Sequence, residues 1–380
     1  MPACECQPTN WKDRKAYRLS NGEVELITLL GGGHIADFRL CGSPINILWE
    51  APWPTIDPHT FNPDAHASLY GAAPIGRFLS GYTGHAVVVG NFGMPSEREA
   101  AGGVPLHGEA ASSEWKVVSV NHDDFGCALL LEVALPHCQF VFQREIVLAA
   151  SSFRASITEI LINLAAHERE FQWVQHAAFG EPFFARDESS LFVHVSRAIT
   201  WPLGYEGHEL LRDDAEFLWP NAPAISGGTV DLSNPFARDG TGFVAALVTS
   251  NDHPNTSAVV LNRSHSLAAG YTLDRACFPW ITLWEENHAR AYSPWNGNVR
   301  VRGVEFGTSP MPLGIEHARQ TRTLFDTPVL ARISAHETLT TSYDLFVTKV
   351  PATWKSIAGL ERSRNGLALR NASNEKVRFT

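Results

Sequence analysis

The sequence predicts an all-β protein built as a large antiparallel β-sandwich with few short helices. Strand-length apolar segments recur at nearly even spacing, short polar turns separate them, and long apolar runs at a helical period are few. Hydrophobic residues make up 44% of the 380 residues and charged residues 18%, which is ordinary for a chain that buries a sizeable core.

The first strands form a predicted hairpin, Ala16–Leu19 and Glu23–Leu30, around an Asn21-Gly22 turn that tolerates positive φ. From Glu114 onward the pattern becomes a regular meander. Its predicted strands are Trp115–Val120, Ala128–Leu135, Gln139–Leu148, Phe153–Leu164 and Glu170–Ala177, and strand-like runs return at Gly242–Thr249, Ala258–Leu261, Trp280–Trp284, Arg300–Phe306 and Thr338–Val347. The best candidates for short helices are His317–Leu324 and Ala352–Glu361.

No linker divides the chain, so we expect a single domain over residues 1–380, with a sandwich core at about 16–350 and a C-terminal extension at 351–380. Two long segments interrupt the strands, Trp49–Asn91 and Thr200–Asp239, both rich in Pro, Gly and aromatic residues. Long loops in a compact fold are commonly functional, and this aromatic content argues against disorder.

Composition excludes several classes of partner. The formal charge is -10 and no block of basic residues occurs, so a nucleic-acid partner has no electrostatic support. The sequence shows neither a signal peptide nor an apolar run long enough to span a membrane. The six scattered cysteines indicate reduced thiols in a cytoplasmic protein. Phosphate-loop, dinucleotide and metal-site motifs are missing, so we expect no cofactor and no metal.

Four short motifs occur in an order that resembles the galactose mutarotase (aldose 1-epimerase) superfamily. They are Gly76-Arg77, Leu106–Glu109, Gln175-His176 and Val304–Pro310, and Gly31–Gly33 followed by Ile35–Leu40 is similar to the opening hairpin of that family. The resemblance runs from about residue 20 to 350. It implies the same large sandwich and a monosaccharide or small glycan as substrate.

The resemblance also implies roles for individual residues. His176 would be the general acid that protonates the ring oxygen, and Glu305 the general base that takes the proton of the anomeric hydroxyl. His107 would bind and polarise the ring region, and Arg77 would grip a sugar hydroxyl. The pair opens the ring without a metal, a nucleotide or a covalent intermediate.

The sequence departs from the family pattern at further binding positions. The binding aspartate of the family has no clear counterpart, and Asp239 lies in a plausible place for it. Trp284 and Trp295 could supply stacking surfaces for a sugar ring, with core packing as the alternative.

Strand period places Glu305 on one face with Gly303 and Gly307, and the neighbouring Arg300 and Arg302 on the other. The two glycines would leave space beside the carboxylate. A cross-strand ion pair is the alternative role for Glu305, and a hydrogen-bonded structural histidine is the alternative for His176.

Three hypotheses for function follow from the sequence. The first is an isomerase that interconverts sugar anomers. The second is a noncatalytic carbohydrate-binding protein of the same fold, and the third is a glycan lyase or glycosidase. Glu285 and Glu286 are adjacent and face opposite ways, so they cannot form a glycosidase pair with each other, although either could pair with Glu305. The sugar and the oligomeric state stay open.

Overall fold

The computed structural model describes residues 4–252, 255–363 and 366–380, and shows two large antiparallel sheets packed face to face. The strands are β1 Glu5–Trp11, β2 Arg14–Ser20, β3 Val24–Leu29, β4 Ile35–Leu40, β5 His85–Gly90, β6 Lys116–Asp123, β7 Gly126–Leu135, β8 Phe140–Ala149, β9 Arg154–Asn163, β10 Arg169–Gly180, β11 Ser189–Val193, β12 Val195–Thr200, β13 Glu216–Phe217, β14 Asn221–Pro223, β15 Thr229–Asp231, β16 Thr241–Thr249, β17 Asn255–Asn262, β18 Leu267–Asp274, β19 Trp280–Asn287, β20 Arg300–Gly307, β21 Thr323–Leu324, β22 Thr327–Pro328, β23 Ala331–Ile333, β24 Thr338–Lys349, β25 Gly359–Ser363, β26 Gly366–Arg370 and β27 Lys376–Phe379. The α-helices are α1 Pro63–Tyr70, α2 Ile75–Gly81, α3 Glu97–Ala101 and α4 Ile315–Thr321.

The first sheet has the order β1-β2-β3-β4-β5-β10-β20-β19-β16-β12-β13, with β23 paired to the start of β10. The second has the order β11-β17-β18-β24-β9-β8-β7-β6. Strands β10 and β20 are therefore neighbours in the middle of the first sheet. A central position gives both strands ladder hydrogen bonds on two sides, which holds their side chains in fixed register.

Alternation along the strands builds the core between the sheets. Strand β9 alternates strictly between half-buried and buried residues, as expected for a sheet with one face on a core. Strand β10 is different, because it is buried on both faces from Phe171 to Gly180. Its odd-numbered residues, such as Trp173 and Phe179, join the core between the sheets. Its even-numbered residues face away from the second sheet, beneath a cover contributed by the segment between β4 and β6.

A polar network is buried inside the sandwich beside this strand. Arg144 is completely buried and lies 2.7 Å from the Glu159 carboxylate. Gln175 of β10 and the Tyr343 hydroxyl both hydrogen bond to Glu159. Because each charged group has several partners, the network satisfies the groups that it buries. It anchors β10 to the second sheet one residue before His176.

The structure confirms the predicted all-β sandwich, the strands of the meander and the helix near His317. The expected helix at Ala352–Glu361 is wrong, because this stretch holds no helix and ends in β25. The C-terminal extension instead forms a small sheet, β25-β26-β27, whose Leu367 and Leu369 pack with Trp354 against the outer face of the second sheet. The long segment Trp49–Asn91, which the sequence presents as a loop, contains α1, α2 and the central strand β5. The sequence pattern did not indicate these elements.

All six cysteines are free thiols. Among the described residues, no helix is long and apolar enough to cross a membrane, and no group of three or more His, Cys, Asp or Glu side chains could hold a metal ion.

Candidate active site

The structure brings His176 and Glu305 together at the centre of the first sheet. Strands β10 and β20 are antiparallel, and the paired residues Val174–Gly307 and Ala178–Gly303 flank the two side chains. This register places His176 opposite Glu305, with both side chains on the face that points away from the second sheet. Nε2 of His176 lies 3.4 Å from Oε1 of Glu305.

Both side chains are nearly excluded from solvent, with 4% of His176 and 2% of Glu305 exposed. Burial lowers the pKa of His176 to about 4, and burial raises the pKa of Glu305 well above its ordinary value. Oε2 of Glu305 is buried and has no hydrogen-bond partner among the described residues. The site therefore holds an imidazole and a carboxyl group in an environment that favours their neutral forms, with one carboxyl oxygen left for a ligand.

Gly303 explains how the Glu305 side chain fits. A Cβ atom at Gly303 would lie 2.8 Å from Oε1 of Glu305 and 3.2 Å from the Trp284 ring. The space beside the carboxylate thus exists because this residue has no side chain. Gly307 has another role, since a Cβ atom there would meet the backbone oxygen of Trp173 at 2.4 Å.

Aromatic rings form the cover over His176. The ring of Tyr82 is perpendicular to the imidazole at a centroid distance of 5.1 Å, and its hydroxyl lies 3.0 Å from Nδ1. Phe78 of α2 lies 5.8 Å from the imidazole and stacks on Tyr82 at 4.8 Å. Trp284 of β19 lies 6.1 Å away on another side. This cover shields the imidazole from solvent.

His107 also belongs to the site, at a ring centroid distance of 5.0 Å from His176. A bridge between Gly108 and Val89 of β5 ties its segment to the first sheet. The backbone N–H of Gly93 donates to Nδ1 of His107 at 3.2 Å. Since a backbone N–H can only donate, Nδ1 carries no proton, and the proton of this neutral ring is on Nε2. Burial lowers the pKa of His107 well below its ordinary value.

Arg77 lies on α2, directly before Phe78 of the cover. Its side chain is half-buried, and its Nε atom is buried without a hydrogen-bond partner among the described residues. A buried guanidinium N–H without an acceptor is costly, so this atom is available to an oxygen of a ligand.

The two tryptophans lie at the same cluster. Trp284 is half-buried and donates its Nε1–H to the Tyr205 hydroxyl at 2.8 Å. Trp295 is 5% exposed, 6.0 Å from Trp284 and 5.1 Å from Trp53 between ring centroids. Trp284 contacts His176 directly, whereas Trp295 supports Trp284 from behind.

Asp239 is placed apart from the pair. Its side chain is 55% exposed and forms ion pairs with Arg186 and Arg300. Within the described part of the chain, Asp239 has neither a hydrogen bond nor an ion pair with His176 or Glu305. Arg302, three residues before Glu305 on β20, forms a buried ion pair with Glu285. This pair lies on the face of the sheet opposite to Glu305, as the two-residue period of a strand predicted. The pairing of Glu305 with a neighbouring arginine is therefore not the arrangement that the structure shows.

Sequence reasoning missed Tyr82 and Phe78. Neither residue stands in a motif, and both follow Arg77 within a segment that the sequence presents as an irregular loop. The contact of Tyr82 with His176 joins residues 94 positions apart. Only the packing of α2 against β10 creates it, and no local pattern reports such packing.

The fold and the site together define a class: a large antiparallel sandwich with a histidine and a carboxyl group converging on the outward face of its first sheet. The fold is that of the galactose mutarotase-like proteins. A protein from Klebsiella pneumoniae, provisionally named an aldose 1-epimerase, superposes with a TM-score of 0.62 at 16% identity, over 89% of this chain and 81% of that one. A galactose mutarotase-like protein from Clostridium acetobutylicum superposes with a TM-score of 0.59 at 13% identity, over 92% and 100%.

A third solved structure, from Salmonella typhimurium and provisionally named a mutarotase, gives a TM-score of 0.58 at 14% identity, over 92% of this chain and 95% of that one. No family model matches this chain, and no curated protein matches it. At these identities the likeness establishes the fold, and the activity has to be argued from the site.

Proposed function

We propose that this protein is an isomerase of the aldose 1-epimerase type, which interconverts the α and β anomers of a sugar by acid–base ring opening. The observation that supports this function most is the 3.4 Å approach of His176 Nε2 to Glu305 Oε1 on one face of the sheet. The anomeric hydroxyl and the ring oxygen are both attached to C1 of the sugar. An acid and a base that serve this reaction must therefore converge on one carbon atom, as these two groups do.

The proposed reaction moves one proton in each direction. The Glu305 carboxylate takes the proton from the anomeric hydroxyl while the imidazolium of His176 gives its Nε2 proton to the ring oxygen. The bond between C1 and the ring oxygen breaks, and C1 becomes an aldehyde carbon. Rotation about C1–C2 presents the other face of the aldehyde, and the same two groups then run the steps backwards to close the ring. No atoms are gained or lost.

The charged pair that this reaction needs has the same number of protons as the neutral pair that burial favours. An imidazolium with a carboxylate and an imidazole with a carboxylic acid differ only in where one proton lies. A sugar that brings hydroxyl groups into the site supplies hydrogen bonds to both charges. Binding therefore shifts the pair toward the reactive form without uptake of a proton from solution.

Other residues of the site would bind the ring. His107 presents an Nε2–H donor, and Arg77 presents a buried Nε–H that has no hydrogen-bond partner among the residues that the structure describes. Trp284 and the cover residues Phe78 and Tyr82 offer aromatic faces to the C–H faces of a sugar. Because His176 and Glu305 are nearly excluded from solvent, part of this cover has to move before a pyranose reaches them.

A noncatalytic carbohydrate-binding protein is the second candidate. The observation that favours it is the near-complete burial of both groups under the aromatic cover, which is also what a structural His–Glu contact would show. A glycosidase has less support. Glu285 faces the other side of the sheet, and Glu286 follows Thr282, the partner of Glu305, by four residues. Four residues separate Cα atoms by roughly 13 Å along a strand. The Glu286 carboxylate is also held by the backbone N–H groups of Ala289 and Arg290, away from Glu305.

Polarimetry of freshly dissolved α-glucose and α-galactose tests the proposal. The wild type should accelerate the approach to equilibrium, and His176→Asn should lose about 100-fold or more of the acceleration, the usual contribution of a general acid. Glu168→Gln, which changes a carboxylate that is 55% exposed, is the matched control and should keep the full rate. Binding of sugar without acceleration would select the noncatalytic candidate, and new reducing ends from oligosaccharides would select a glycosidase.

A further inference from the structure

We propose that Tyr82 is a positioning residue, which keeps Nε2 of His176 as the proton-bearing nitrogen that faces Glu305. This inference rests on the proposed function for its effect on rate, and on the hydrogen-bond geometry alone for its effect on the ring. The Tyr82 hydroxyl lies 3.0 Å from Nδ1 of His176. Tyr82 is 1% exposed, and its ring is fixed between Phe78 at 4.8 Å and Trp49 at 5.4 Å.

The direction of this hydrogen bond follows from the available partners. Among the described residues, the Tyr82 hydroxyl has one hydrogen-bond partner, which is Nδ1 of His176. Oε2 of Glu305, the free acceptor in the same site, is not bonded to it. A buried hydroxyl must donate its hydrogen to some acceptor, so Tyr82 donates to Nδ1. A neutral imidazole has one N–H, and with Nδ1 accepting, that proton is on Nε2.

Burial also raises the pKa of Tyr82 well above its ordinary value, so the phenol keeps its proton at neutral pH. The other titratable groups that face the imidazole are Glu305 on β20 and His107 next to Gly108. Neither of them contacts Nδ1 in the structure. Among the described side chains, Tyr82 is thus the one that hydrogen bonds to Nδ1.

The same hydroxyl serves the protonated ring. When His176 takes up a second proton, Nδ1 becomes a donor, and the Tyr82 oxygen can accept from it after the hydroxyl hydrogen rotates away. In the resting neutral ring and in the imidazolium, Nε2 carries a proton and faces Glu305. Once Nε2 has given its proton to the ring oxygen, Nδ1–H donates to the Tyr82 oxygen, and Nε2 takes the proton back when the sugar ring closes. Without the hydroxyl, the proton of the neutral ring can move to Nδ1, and Nε2 would then face Glu305 as a lone pair that cannot protonate a ring oxygen.

Nitrogen NMR of the ¹⁵N-histidine-labelled protein at neutral pH tests the inference without any sugar. His176→Asn identifies the resonances of His176 among the 16 histidines. In the wild type, Nδ1 should resonate as an unprotonated nitrogen and Nε2 as a protonated one. In Tyr82→Phe, both should move toward the positions of a mixture of tautomers. Tyr70→Phe is the matched control, since it removes a buried hydroxyl of the same aromatic cluster that donates to the Pro54 carbonyl instead.

The rate gives a second readout. Tyr82→Phe should lower kcat about tenfold, the rate equivalent of one ordinary hydrogen bond, with little change in KM. A protonated Nδ1 in the wild type, or His176 resonances that Tyr82→Phe leaves in place, would overturn the inference. If neither protein accelerates anomer exchange, the proposed function fails, while the resonances still decide the role of Tyr82.

Discussion

Glu305→Gln should make the folded protein more stable at neutral pH, although it removes the proposed base. Glu305 is 2% exposed, and its Oε2 has no hydrogen-bond partner among the described residues. Burial raises its pKa in the folded state, so the ionised form is the one that the fold disfavours. Glutamine has nearly the same shape and carries no charge. Replacing a destabilising functional group by a neutral isostere is expected to trade activity for stability.

The difference in free energy of unfolding between Glu305→Gln and the wild type depends on pH, and its sign follows from the raised pKa of Glu305. The stability that the protonated carboxyl contributes is fully present below its unfolded pKa and is lost as pH rises through its folded pKa. The glutamine amide would be as short of partners as the neutral carboxyl group, so only the charge of Glu305 separates the two proteins. The free energy of unfolding of Glu305→Gln should therefore equal that of the wild type at pH 4 and exceed it at pH 8, by about 1.4 kcal/mol for each pH unit between the unfolded pKa and the pH at which the folded carboxyl group ionises.

Urea denaturation at both pH values measures this difference. Urea is preferable to heating, because 1 kcal/mol shifts the Tm of a chain of this size by only about 1 °C. Glu168→Gln controls for the loss of a carboxylate at an exposed position, and should not change stability with this pH dependence. Equal stability of Glu305→Gln and wild type at pH 8, or a variant that is less stable there, would refute the reasoning that burial disfavours the charge of Glu305.

Three further predictions, one on pH dependence and two on substitutions, test separate parts of the structure. The rate of anomer exchange should fall below about pH 4, when the pair takes up a second proton at His176, and should fall again at a pH well above the ordinary pKa of a glutamate, when Glu305 loses its proton. A pH–rate profile measures both limbs, and a single limb near pH 6.5 would contradict this prediction. Asp239→Asn should leave the rate within about twofold, because its carboxylate is engaged in exposed ion pairs that contribute little; a loss of 100-fold in the same polarimetric assay would place Asp239 in the site. Arg144→Met should lower the free energy of unfolding by about 3–5 kcal/mol, since it leaves the Glu159 carboxylate buried without its cation, and urea denaturation that shows no loss would contradict this role.

The fold could be predicted because its strands are local in sequence. The segments from Lys116 to Asn163 form β6 to β9 in unbroken succession, and the residues of β7, β8 and β9 alternate between a buried face and a more accessible face. Strand β5 escaped prediction for a physical reason. His85–Gly90 is buried on both faces, so its sequence has no alternation, and it lies inside a long segment dominated by turn-forming residues.

The site could be predicted in part. Motif order singled out His176 and Glu305, which the structure brings close together. The two-residue period of a strand placed Glu305 on a different face from Arg302. The cover could not be predicted, because Tyr82 and Phe78 reach His176 only through the packing of α2 on the sheet. The burial of His176 and Glu305 beneath this cover could not be predicted either. A sequence pattern reports which residues share a strand face, and it does not report what lies on top of them.

Exchange of magnetisation between the two anomeric protons of a sugar at equilibrium tests the central claim most directly. The measurement detects interconversion of α and β forms with no net reaction, so it needs no coupling enzyme and no freshly dissolved sugar. If His176 and Glu305 catalyse ring opening, exchange should be faster with the wild-type protein than in buffer, and should return to the buffer rate with Glu305→Gln and with His176→Asn. Exchange that both variants sustain at the wild-type rate would contradict it.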